Sequence, residues 1–238
     1  AGTKIFEEFA EAKNLGILTK PVVVGPFTFL KLARFAGEKK AVDFAGDTVR
    51  AYAELVGKLA GLGAEWIQLD EPALVMDQDA DDISFFKSLY AGVLKAKGNA
   101  KILLQTYFGD IRDCYEEAAA LDFDGIGLDF VEGKESLALV RNNGFPDDKV
   151  LFAGLVNGRN VWRNNYAKTL SAIGELKKSA KHIAVGTSCS LLLVPYTVEN
   201  ESKLDGAYKK HLAFAVEKLG ELADLKKLAS CDLPLETD

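Results

Sequence analysis

The sequence predicts an α/β fold of parallel strands, a TIM-type (β/α) barrel carrying about six of its eight βα units. Short β-branched runs alternate with amphipathic helical stretches from end to end. Polar residues stand at the C-terminal end of almost every apolar run, and in a barrel those ends converge on one mouth. A doubly wound sheet would carry a phosphate-binding loop after an early strand. Neither GxGxxG nor GxxxxGK(S/T) follows any run here.

The strands are placed at residues 21–25, 65–70, 101–107, 125–129, 150–155 and 182–187. Each is bounded by Gly, Pro, Asp or Asn, and each is apolar enough for burial on both faces. Between them apolar residues recur at helical spacing. Val49, Tyr52, Val56 and Leu59 share one face of a helix ending near Gly61-Leu62-Gly63. Ile83, Phe86, Tyr90 and Val93 share a face of the next, with Asp81 or Asp82 as N-cap and Gly98 beyond its end. Tyr166, Leu170, Ile173 and Leu176 repeat the pattern, and a long closing helix is placed over residues 202–228. Strand starts lie about 24 to 44 residues apart with no linker, so residues 1–238 read as a single barrel domain. The two missing strands are placed ahead of Ala1-Gly2-Thr3, which lacks an initiator Met. The chain is therefore read as a fragment truncated on its N-terminal side.

Composition narrows the function. Of 238 residues, 48% are hydrophobic and 27% charged, which suits neither disorder nor membrane residence. No uninterrupted apolar run approaches the ~20 residues of a bilayer span. The net charge is −6, and Lys209-Lys210-His211 reads as a solvated helical face, so neither nucleic acid nor membrane is an expected partner. The three cysteines, Cys114, Cys189 and Cys231, are odd in number and widely spaced. They do not make a disulfide framework, and the reduced cytoplasm is the expected compartment.

Three clusters can carry chemistry. In Trp66-Ile67-Gln68-Leu69-Asp70-Glu71-Pro72, adjacent carboxylates at a strand end point to opposite sides, one into the mouth and one bracing a loop. They suit recognition of an ammonium group or general-base work, or else a cap on the next helix or an Arg pair. In Asn157-Gly158-Arg159-Asn160, Asn-Gly makes a tight turn and Arg159 offers a planar fork to a carboxylate or phosphate. The alternative is an internal salt bridge from Arg159 to a strand-end Asp. Cys189, in Ser188-Cys189-Ser190, is a ligand or nucleophile only with a His or further thiolates nearby. His182 begins its strand and His211 lies on the last helix, so neither is well placed. Asp70, Glu71 and Asp129 could form a generic magnesium site.

Several motifs in order resemble the N-terminal domain of cobalamin-independent methionine synthases. They are Lys20-Pro21-Val22-Val23-Val24-Gly25-Pro26-Phe27-Thr28, the Trp66 to Leu74 stretch, Gln105-Thr106-Tyr107-Phe108, the stretch from Gly154 to Arg163, and Ser188 to Leu192. The resemblance covers most of the chain. It implies two face-to-face barrels that methylate homocysteine from a polyglutamylated 5-methyltetrahydrofolate, with zinc held in the C-terminal barrel by His, Cys, Glu and Cys ligands.

Measured against that catalytic barrel, Gln105-Thr106-Tyr107 replaces a His-x-Cys ligand pair, and only Cys189 stands where a ligand Cys would. One Cys cannot hold a four-ligand zinc. The resemblance therefore implies no catalytic residue, metal or cofactor in this chain, and a C-terminal catalytic barrel as its partner in cis or in trans, with a folate polyglutamate as the shared ligand. The substrate-binding candidates at the mouth are Asp70, Glu71, Tyr107, Asp129, Asn157, Arg159, Asn160 and Cys189. Leu193 stands where the family pattern has His. Two other functions compete: a different barrel enzyme acting on a small carboxylate, and a non-catalytic binding module.

Overall fold

Strands rich in consecutive apolar residues bury both faces, and the helices between them cover those faces. The computed structural model describes residues 2–230 and has six parallel strands that alternate with helices and keep their chain order in the sheet. Its described residues divide into two units, 2–106 with 111–127, and 107–110 with 128–230.

The first unit contains α1 (Lys4–Asn14), β1 (Val22–Val24), α2 (Pro26–Leu32), α3 (Ala45–Gly61), β2 (Trp66–Asp70), α4 (Ala80–Val93), β3 (Lys101–Gln105), α5 (Tyr115–Ala120) and the first residues of β4 (Gly125–Asp129). The register pairs Val23 with Leu69, Gln68 with Leu103 and Leu104 with Ile126. Ile67, Leu69, Ile102, Leu103 and Leu104 are buried from the strands, with Val56, Leu59, Phe86, Leu89 and Tyr90 from the helices. The Tyr90 ring meets Phe86 at 5.0 Å and Phe123 at 4.9 Å between centroids, the latter edge-on.

Two expectations are corrected in this unit. The third strand stops at Gln105, although Thr106 still donates its N–H to the Gly127 carbonyl, so Tyr107 lies beyond the ladder. The N-cap of α4 is Asp79, whose side chain accepts the Asp82 N–H at 2.8 Å. Asp79 has the extended backbone a cap requires, and Asp81 and Asp82 sit in the first turn, where acidic charge favours the helix dipole.

The second unit contains the end of β4, α6 (Ser136–Asn143), β5 (Val150–Val156), α7 (Tyr166–Leu176), β6 (His182–Thr187), α8 (Gly206–Lys209) and α9 (Ala215–Ser230). β5 pairs with β6 from Val150↔His182 to Gly154↔Gly186, with an irregularity between Gly154 and Val156. The single closing helix is not there: residues 210–214 interrupt it. Ala213 donates its N–H to Val161 and Arg163 donates its N–H to His211, around an antiparallel bridge of Trp162 with Leu212. Ala213 and Phe214 are buried, so pairing with the 161–163 segment outweighs helix continuation. Glu217 then accepts the Phe214 N–H at 2.9 Å and starts α9.

Burial on both faces fails for the first and last strands. Val22 and Val24 of β1 are each 49% exposed, and no residue of β6 is buried. Each stands at one end of the strand order and has a sheet neighbour on one side. Cys231 lies outside the described residues.

Candidate functional site

Asp70 and Glu71 belong to the first unit; the other six candidates belong to the second. Glu71 leaves β2 with its side chain fully buried and turned back on α2. Its carboxylate accepts the backbone N–H groups of Phe27 at 3.0 Å and Thr28 at 2.6 Å, and the Tyr90 hydroxyl at 2.6 Å. Phe27 and Thr28 lie in the first turn of α2, whose own N-cap residue, Gly25, has no side chain to cap it. Thr28 Oγ1 in turn accepts the Ala73 N–H at 3.1 Å. Burial pushes the Glu71 carboxyl up to about 7, against hydrogen bonds from Thr28, Tyr90 and Phe27 that favour its charge. The carboxylate thus caps a helix, as one of the two alternatives had it, but the helix is the preceding one. Asp70 remains half-buried and accepts the Gln68 Nε2–H at 2.7 Å, while its charge favours the Lys20 ammonium that burial disfavours.

In the second unit, Asp129 closes β4 fully buried. Its Oδ2 accepts the Phe108 N–H at 2.9 Å, and its Oδ1 accepts those of Val131 at 2.8 Å and Glu132 at 2.9 Å. Burial moves its carboxyl up, and these three N–H groups draw it back part of the way. Phe108 holds φ at 74°, which few non-glycine residues adopt, and its N–H contact with Asp129 fixes that geometry. Its ring meets Tyr107 edge-on at 4.8 Å and carries the Arg159 guanidinium at 5.2 Å. Among the described residues Arg159 forms no ion pair, so its stacking on Phe108 replaces the anticipated internal salt bridge.

Cys189 joins this group. Burial raises its thiol, with Asp129 adding to the rise and Arg159 opposing it. Gly158 packs on it: a Cβ there would stand 2.6 Å from the Cys189 carbonyl oxygen and 2.9 Å from Sγ. The structure therefore brings Tyr107, Asp129, Arg159 and Cys189 together. Asn157 shapes the turn, its Oδ1 accepting the N–H groups of Arg159 at 2.8 Å and Asn160 at 3.0 Å. Asn160 accepts the Trp162 N–H at 3.2 Å.

Sequence reasoning missed three residues. Phe108 organises the Asp129 loop. Lys218 is fully buried and donates to the Trp162 carbonyl at 3.1 Å and to Asn160 Oδ1 at 3.4 Å. Glu221 is buried and accepts the Asn164 N–H at 2.8 Å. The signal for the last two was their spacing with Leu225, which puts Lys218 and Glu221 on the inward stripe of α9.

The donors around Cys189 do not fit a zinc thiolate centre. Asp129 commits both oxygens to backbone N–H groups, and among the described residues no His or second thiol accompanies Cys189. Among the described residues no group of three or more His, Cys, Asp or Glu side chains could hold a metal ion, and no helix is long and apolar enough to cross a membrane.

Residues 1–181 match the family model described as cobalamin-independent synthase, N-terminal domain. Proteins named 5-methyltetrahydropteroyltriglutamate–homocysteine methyltransferase are similar to the chain. The one from Lactococcus lactis subsp. lactis is 49% identical over 95% of this chain and 30% of its own length. The one from Streptococcus suis is 54% identical over 94% and 30%. The chain thus spans about a third of the length of these relatives. Among solved structures, a candidate vitamin-B12 independent methionine synthase from Listeria monocytogenes superposes with a TM-score of 0.69 at 18% identity. That match covers 96% of this chain and 69% of the other. A B12-independent methionine synthase from a Shewanella species gives 0.62 at 16% identity, over 94% and 68%. At such low identity these two likenesses concern the fold.

Proposed function

The chain belongs to the cobalamin-independent synthase N-terminal-domain family, and on that premise we propose that it is the non-catalytic barrel of a two-barrel methionine synthase. The observation that carries the reading is identity of about one half along nearly the whole chain to homocysteine methyltransferases more than three times its length. The whole protein transfers a methyl group from a polyglutamylated 5-methyltetrahydrofolate to homocysteine in the cytoplasm. Zinc, which activates the homocysteine thiolate, is held by the C-terminal barrel, this chain's partner in cis or in trans.

This chain's contribution is a pre-shaped surface. Asp129 pins the loops at 108 and 131–132, and Phe108 presents the exposed Arg159 guanidinium, a fork suited to a substrate carboxylate. Tyr107, whose ring meets Phe108, and Asn160, in the same turn as Arg159, are the further substrate contacts. The competing reading, a separate enzyme for small carboxylates, gains nothing from the raised Glu71 carboxyl, because that group is buried and engaged by three donors.

The test assays methionine formation from homocysteine and 5-methyltetrahydropteroyltriglutamate with zinc present. The 238-residue chain is measured alone and again after adding the separately produced C-terminal part of a full-length relative. Turnover is expected only in the mixture; methionine made by the chain alone overturns the proposal.

A further inference from the structure

We infer that a cleft between the loop after β5 and helices α7 and α9 is a binding site for a small oxyanion, a carboxylate or a phosphate. The cleft encloses about 250 Å3, below the ~300–1,000 Å3 common for drug-sized ligands, which points to a small ion.

Lys218 lies at its wall with none of its side chain exposed. The ammonium donates to two neutral acceptors, the Trp162 carbonyl at 3.1 Å and Asn160 Oδ1 at 3.4 Å. Among the described residues no carboxylate is within ion-pair distance of it. Burying an ammonium on neutral partners is costly unless an anion balances the charge.

Two further cations, Arg163 and Lys168, line the same cleft from exposed positions. Neither side chain forms a hydrogen bond or ion pair among the described residues. Helix α7, 11 residues long, starts at the cleft with Asn165 as its cap, which adds the positive end of a helix dipole. Charge of the opposite sign is limited. Burial lowers the Lys218 ammonium below its ordinary value and Glu221 opposes that shift; the Glu221 Oε1 accepts the Asn164 N–H while its Oε2 has no hydrogen-bond partner among the described residues. Asp224 accepts the Tyr166 hydroxyl at 3.0 Å. Three cations therefore face one inner carboxylate. The cations of the cleft are distinct from Arg159, and the cleft shares Asn157, Asn160 and Val131 with the turn and loop that shape the proposed substrate surface.

The test titrates the 238-residue chain with inorganic phosphate and, separately, with succinate, at low ionic strength. It is read by calorimetry and by the fluorescence of Trp162, which lines the cleft. Saturable binding of at least one ion is expected, weakening as sodium chloride is added. Arg163→Ala and Lys168→Ala are each expected to lower the affinity about tenfold, while Lys168→Arg retains it. Both residues are exposed, and circular dichroism establishes that each variant is folded. Binding of phosphate alone assigns a phosphate group, and binding of succinate alone assigns a carboxylate. Binding of both supports the shared chemistry. Saturation by neither ion overturns the proposal, as does binding that both alanine variants leave unchanged.

Discussion

Glu71 caps the helix that begins at Pro26: its two oxygens take the backbone N–H groups of Phe27 and Thr28 across more than forty residues of chain. A seven-residue helix whose cap residue is glycine has no local means of satisfying those donors. Replacing Glu71 with Ala strands two buried N–H groups and the Tyr90 hydroxyl, and leaves a cavity. Unsatisfied buried donors cost about 1–3 kcal/mol each, so Glu71→Ala is expected to destabilise the chain by about 3–5 kcal/mol. Urea unfolding measures it, and a loss under about 1 kcal/mol would show that the cap contributes little.

The same carboxyl makes stability depend on pH in an unusual direction. Its folded value is about 7 against 4.5 ordinarily, so between those values the folded chain holds a proton that the unfolded chain has lost. The contribution is complete below about pH 4.5 and is lost as pH rises through about 7. The unfolding midpoint of the wild-type chain should fall over that window relative to Glu71→Gln, which carries no titrating group. Carbon-13 titration of the Glu71 carboxyl should show a midpoint near 7; a midpoint near 4 would refute the assignment.

How much of this was legible in the sequence follows from range. The six strands were, because each is a local apolar run between turn residues, and only their ends moved, as at Gln105. The interruption at 210–214 was not, because Ala213 departs from helix to meet Val161 some fifty residues away. The Asp70–Glu71 pair stood out as chemistry, yet the partner of Glu71 lies at Phe27 and Thr28, and no spacing reveals it. Arg159 was found as a cation, but its seat on Phe108 depends on a backbone at φ 74° that no residue type there announces.

Asp129 should act as a clamp on two loops at once. Asp129→Asn keeps one acceptor oxygen but turns an N–H2 toward backbone N–H donors that the carboxylate now satisfies. The amides of Phe108, Val131 and Glu132 are expected to lose hydrogen-exchange protection together, with a global cost of about 1–3 kcal/mol. Loss at Phe108 alone would mean that the two loops are held independently.

Gly158 sits where no side chain fits. A Cβ built there stands 2.6 Å from the Cys189 carbonyl oxygen and 2.9 Å from its Sγ, and the first of these atoms belongs to the backbone that follows β6. Rotating the thiol cannot remove the closer clash, so the strand ends must separate. Gly158→Ala should therefore destabilise by about 1–3 kcal/mol, the usual cost of overpacking. Adding Cys189→Ala removes only the sulfur and should restore a minor part of the loss, which a double-mutant cycle measures. Full rescue would show that the sulfur, rather than the carbonyl, sets the limit at this position.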